Sequence, residues 1–246
     1  MDDFSRKLLY ADFVPKETTW AHIKAAEVLT RKYGLPLRYY VDSLRVFRFV
    51  QSRDSNWRKH NLVTDEADPR WRQVMRLLGI DVTFALSPQA KGKVERPYSW
   101  LQDRIVRTCA KEKLTTIEEA RAVLRHEVDR YNNRQVHSTT GQIPNIRLEE
   151  AKKQGNNLFR PFALPQPYTS PKDIFCLQET RTIDGYGKIS LHHQKIQVPD
   201  VPLGQEVEVH MVPDAERAAI QVRIWWNGKM KRSDDYPLAD FPRVHF

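Results

Sequence analysis

Asp42 and Glu95 are the two residues whose type and placement suit metal-assisted phosphoryl chemistry. Cleaving or transferring a phosphodiester with two metal ions needs hard oxygen ligands that hold the cations about 3.5 to 4 Å apart, so carboxylates are required on rigid neighbouring elements. Asp42 stands where an apolar run, Leu35 to Val41, ends as a predicted strand. Glu95 stands near the start of an amphipathic segment, just after Ser87-Pro88-Gln89-Ala90-Lys91-Gly92-Lys93-Val94. Functional groups in α/β sheets collect at the carboxyl ends of strands, which makes the pairing geometrically reasonable. Each residue also has an ordinary reading, the Asp as a turn former and the Glu as a complement to a helix dipole. Lys91, Lys93 and Arg96 flank Glu95 and suit phosphate neutralisation, and Arg104, Arg107 and Lys111 continue a basic face along the same helix. A solvated basic turn is the plain alternative for the residues around Glu95.

The elements that must position these groups read as follows. Arg6 to Val14 is rich in apolar and aromatic residues and predicts a strand. Thr18 is a candidate N-cap for a helix over 19–33, with Ile23, Ala26, Val28 and Leu29 on its stripe and Gly34 as its stop. After the strand that ends at Asp42, residues 45–69 are charged and polar and predict an exposed insertion. Trp71, Val74, Leu77 and Leu78 share a helical face over 70–78, Gly79 closes it, and Ile80 to Leu86 predicts a short strand. A helix over 91–111 carries Trp100, Leu101, Ile105 and Val106, preceded by a loop from Ser87 to Gly92. A second helix over 117–132 carries Ala120, Val123, Leu124, Val128 and Tyr131. This alternation of strands and helices predicts an α/β layer structure.

Composition changes near Pro161, Pro165, Pro167 and Pro171, a set that predicts a semi-rigid linker. The domain reading is a core over 1–150, a linker over 151–172 and a small β-barrel over 173–246. In that last part Ile189/Leu191, Ile196/Val198, Val207/Val209/Met211 and Ile220/Val222/Ile224 alternate with polar residues, and Asn227-Gly228 is a tight-hairpin signal. Lys188, Lys195, Arg223, Lys229, Lys231 and Arg232 lie among Trp225 and Trp226, a mixture suited to clamping and stacking nucleic acid. Strand alternation sends one of the two tryptophans inward.

A net charge of +9 over 246 residues, with a pI near 9.5, favours a polyanionic partner, of which nucleic acid is the first candidate. Cys109 and Cys176 fit neither a disulfide framework nor a zinc site. No apolar run reaches membrane-spanning length and the N-terminus is acidic, so the expectation is a soluble cytoplasmic protein without a membrane partner.

Over about residues 2–150 the chain resembles the DDE-type integrase core of retroviral integrases and bacterial insertion-sequence transposases. The motifs that carry the resemblance occur in order: Asp2-Asp3-Phe4-Ser5-Arg6, Pro15-Lys16-Glu17-Thr18, Tyr33-Gly34-Leu35-Pro36 leading to Asp42 and Phe47, Leu78-Gly79-Ile80, the run from Ser87 to Arg96, then Tyr131-Asn132-Asn133, Arg134, His137, Gly141 and Pro144. The resemblance implies a ribonuclease H-like fold, a mixed five-stranded sheet flanked by helices. It also implies three acidic ligands for Mg²⁺ or Mn²⁺, of which Asp42 matches the second and Glu95 the third. DNA nicking and strand transfer, transposon ends and target DNA as partners, and a homo-oligomeric assembly follow as expectations. Ser43-Leu44 departs from the Asn-Gly of many relatives. The resemblance begins after the strand that bears the family's first acidic residue, and Asp2 and Asp3 match turn positions. A core without that strand, and impaired in strand transfer, is therefore expected. A non-catalytic DNA-binding remnant or regulator, and a nuclease of the same fold, are the competing readings.

Overall fold

The structure, a computed structural model, describes residues 1–41, 70–85 and 88–241, with the backbone alone at 88–91, 93 and 94. Contacts along the chain divide the described residues into two units, one of 1–17, 28–41 and 83–160, the other of 18–27, 70–82 and 161–241.

The first helix, α1 (Thr19–Tyr33), starts where Thr18 accepts the Ala21 N–H at 3.2 Å on its side chain and the His22 N–H at 3.3 Å on its carbonyl. It stops at Gly34, whose φ of +93° is a left-handed conformation that glycine adopts without a Cβ clash. A Cβ there would run into the Arg160 carbonyl, because Leu35 and Arg160 exchange two backbone hydrogen bonds of 2.8 Å each. Ile23, Ala26 and Leu29 are buried as expected, whereas Val28 is exposed. The strands β1 (Arg38–Val41) and β2 (Asp81–Phe84) pair in a two-stranded sheet, the only one among the described residues before residue 177.

Three helices complete the first unit: α3 (Pro88–Glu112), α4 (Ile117–Asn133) and α5 (Pro144–Lys153). Leu101 and Ile105 of α3 and Leu124 and Tyr131 of α4 are buried together with Leu8. Val106, expected on the same stripe, is exposed, because adjacent helical residues point about 100° apart. Residues 88–92, expected in a loop, are helical. Pro88 supplies the preset φ and missing N–H that suit a first helical position.

The expected strand over 6–14 is not formed. Leu8 instead donates its N–H to Asn132 Oδ1 at 2.8 Å and accepts from Asn132 Nδ2 at 2.9 Å on its carbonyl. One side-chain amide thereby supplies the acceptor and donor that a neighbouring strand would offer. Further along, Arg121 donates to the Phe13 carbonyl and to Asp12, so helix side chains satisfy this extended segment.

In the second unit, α2 (Arg70–Leu77) buries Trp71, Val74 and Met75 and packs on β3 (Leu177–Thr182), with Arg70 paired to Glu179. The strands β4 (Lys188–Leu191) and β5 (Gln194–Gln197) form a hairpin. β3 joins β6 (Glu206–Asp214), β7 (Ala219–Trp226) and β8 (Lys229–Pro237) in an antiparallel sheet of order β3-β6-β7-β8. The β7–β8 turn is Asn227-Gly228 with φ of +46° and +71°, the positive pair that a two-residue I′ hairpin requires. Among the described residues the all-β part consists of these two sheets, and their inward residues Ile189, Leu191, Val209, Met211, Ile220 and Ile224 are all buried.

Candidate functional site

Asp42 lies outside the described residues, immediately after the last residue of β1. The Val41 carbonyl accepts the Ala85 N–H at 2.8 Å, and Ala85 follows β2. The carboxyl ends of β1 and β2 therefore lie side by side.

Glu95 and Arg96 are both exposed on the third turn of α3. Pro97 follows and is buried; its missing N–H leaves the Lys93 carbonyl without the usual helical donor. Lys91 and Lys93 belong to the same first turns. Among the described residues no three His, Cys, Asp or Glu side chains converge as a metal cluster.

His137 belongs to the electrostatic surroundings of Arg96. Burial, and then the charges of Arg6 and Arg96, hold its pKa below the usual histidine value. Its Nδ1 accepts the Thr139 N–H at 3.2 Å, which assigns the proton of the neutral ring to Nε2. The His137 carbonyl accepts from Thr140 and Gly141, and Gly141 has a φ of +66°, so the segment from His137 to Pro144 is the turn that starts α5. Tyr131 lies edge-on to His137 at 6.4 Å. Asp2 closes the N-terminal turn by accepting the Ser5 N–H at 2.7 Å, and Asp3 pairs with Arg6. Arg147 donates to the Phe4 carbonyl at 3.1 Å. The motif residues at the two ends of the core thus meet around this turn.

Farther along α3 the basic residues have partners within the chain. Arg104 lies 4.8 Å from the Trp100 ring centroid and 3.8 Å from Glu127, a buried carboxylate that Arg130 approaches at 3.5 Å. Arg107 pairs with Asp103 at 2.8 Å; both side chains are exposed, and such a pair contributes only about 0.2–1 kcal/mol. Arg107 is therefore only weakly held, whereas Arg104 is tied to the α3–α4 contact.

In the β part, two residues expected to clamp nucleic acid are structural. Arg223 is buried and donates to Asp173 through Nε (2.6 Å) and Nη2 (3.1 Å), and buried Trp225 donates to the same carboxylate at 3.2 Å. A bulge between Ile224 and Trp225 lets neighbouring residues both point inward. Trp226 stays half-buried with Lys231 Nζ 5.2 Å from its ring. Tyr186 was not singled out by its sequence and is 85% exposed on a turn held by Asp184 Oδ1, which accepts from the Tyr186 and Lys188 N–H groups. Its flanking Gly185 and Gly187 were the available signal.

With this geometry in hand, the chain is similar in sequence to bacterial transposases. Among particular relatives, the putative transposase y4bF of Sinorhizobium fredii is 27% identical over 233 residues, covering 93% of this chain and 45% of its own length. The transposase for insertion sequence IS1202 of Streptococcus pneumoniae is 31% identical over 132 residues, 54% of this chain and 27% of its own. The chain therefore spans less than half the length of either. No family model matches the sequence. Among solved structures, the catalytic core domain of BIV integrase covers 62% of this chain and 84% of its own at 21% identity and a TM-score of 0.43. A chain of the simian T-cell lymphotropic virus intasome in complex with a PP2A regulatory subunit covers 90% and 66% at 13% identity and a TM-score of 0.42.

Proposed function

We propose that this chain acts on DNA in transposition, with Asp42 and Glu95 as two of the three carboxylates of a ribonuclease H-like, DDE-type metal site. The observation that carries this reading is similarity through 93% of the chain to a protein described as a putative transposase, with the acid-bearing motifs in family order. It is supported by the Val41–Ala85 hydrogen bond, which ties together the two strand ends from which Asp42 and the Glu95 helix depart. Carboxylate oxygens are the donors that Mg²⁺ and Mn²⁺ prefer, and exposed Glu95 is accessible to such a cation. When bound, the metal would supply charge neutralisation at the phosphate and a lowered pKa for the attacking oxygen nucleophile. Asp42 and Glu95 would hold it, while Arg96, Lys91 and Lys93 neutralise the flanking phosphates of the strand. Transposon ends and target DNA are the proposed partners and a homo-oligomer the proposed assembly.

The test is Mn²⁺ titration of the wild-type chain, Asp42→Asn and Glu95→Gln, with DNA binding measured in parallel at low salt. Both variants are expected to weaken Mn²⁺ binding by about 10-fold or more while leaving DNA affinity nearly unchanged. No DNA binding by the wild type at low salt would sink the DNA reading. DNA binding with a Mn²⁺ affinity indifferent to both substitutions would leave a binding protein without the metal site.

A further inference from the structure

The carboxyl-terminal ends of α1 and α5 each carry two cations in the last turn, Arg31 and Lys32 on one and Lys152 and Lys153 on the other. The Leu35–Arg160 backbone pairing draws together the segments that follow them. Lys7, from the extended N-terminal segment, completes the group. Its Nζ lies 5.4 Å from the Tyr33 ring centroid, and Lys32 Nζ lies 5.3 Å from the same centroid. Lys7 donates to the neutral amide of Asn145. The nearby carboxylate Glu149 is bound to Lys152 at 2.8 Å.

Lysines in a helix's last turn offset the helix dipole, which accounts for Lys32, Lys152 and Lys153 taken separately. That account does not reach Lys7, which is on no helix, is half-buried and shares its aromatic ring with another ammonium. Each ammonium is attracted by the ring and repelled by its neighbour. Burial, and then the charges of Lys152 and Lys32, outweigh the opposing charges of Glu149 and Asp2 and hold the Lys7 pKa below the usual lysine value. An anion placed between them relieves the repulsion.

We propose that Lys7 and Lys32 at the Tyr33 ring, together with Lys152 beside Lys7, form a surface that grips the phosphodiester backbone of DNA. The inference rests on the reading that DNA is the partner. A backbone presents closely spaced charges that lysine meets as a point charge, whereas carboxylates are better matched by the fork of arginine. The Tyr33 ring is already taken by two ammoniums, so the surface offers no stacking to bases and reads no sequence.

The experiment measures the salt dependence of binding to two short duplexes of unrelated sequence, for the wild type, K32Q/K152Q and K7Q/K32Q/K152Q. Each lost phosphate contact lowers the slope of log K against log salt by about 0.9. The expected slope change is about 2 for the double variant and nearer 3 for the triple, equal on both duplexes. The double variant changes only exposed side chains and guards against misfolding of the triple. An unchanged slope in a double variant that still binds DNA overturns the surface and leaves the transposition reading standing. A wild type that binds no DNA overturns both. Loss of binding to polyglutamate with an unchanged DNA slope also overturns the proposal, in favour of an acidic protein partner.

Discussion

The Asp173 carboxylate accepts four hydrogen bonds, two from Arg223, one from Trp225 and one from the Ser170 N–H, and it is wholly buried. Removing its charge leaves the Arg223 guanidinium buried without a counter-ion, so Asp173→Ala is expected to destabilise the β-rich unit by about 3–5 kcal/mol in urea unfolding. Adding Arg223→Met in the same chain should recover part of that loss, because a buried pair costs more when half of it remains. Burial likewise pushes the Cys176 thiol up, while Cys109 is partly accessible. A thiol reagent should therefore label one cysteine per native chain and two in denaturant; rapid native labelling of both would contradict this.

At the scale of elements, α4 begins in a capping box. Thr116 accepts the Glu119 N–H, and the Glu119 carboxylate accepts from Thr116 Oγ1 and from the Thr115 and Thr116 N–H groups. Thr116→Ala should cost about 1 kcal/mol of stability. Those bonds, led by the Thr116 hydroxyl, hold the Glu119 pKa below the usual glutamate value. A lowered carboxylate pKa means the unfolded chain binds the proton more readily, so this contribution is present above the ordinary glutamate pKa and disappears as pH falls through the folded value. The stability gap between wild type and Thr116→Ala should accordingly narrow, but not close, on acidification, as followed by circular dichroism. Helix α4 also carries Asn132, the partner of Leu8. Asn132→Ala strands two buried backbone groups at about 1–3 kcal/mol each, and hydrogen exchange at Leu8 should report the opening.

At the scale of the whole molecule, a +9 chain related to transposases should bind DNA with an affinity that falls steeply with salt. A binding titration over a range of salt concentrations checks this, and an affinity indifferent to salt would overturn it.

Periodicity alone determined most helices, the β2 strand and the inward faces of β4 to β7, because these depend on side chains spaced along one element and facing one core. The Asn227-Gly228 turn was legible for the same local reason. The Asp42 and Glu95 reading came from motif order, which sequence carries in full. Only the tertiary structure decided that Leu8 bonds to Asn132 and not to a strand, that Arg223 and Trp225 serve Asp173, and that Lys7 joins Lys32 at Tyr33. Each of those contacts except the Lys32–Tyr33 one joins residues that are tens of positions apart. A hydrogen bond or charge contact depends on where two such side chains arrive in space, and no spacing along the chain encodes that arrival.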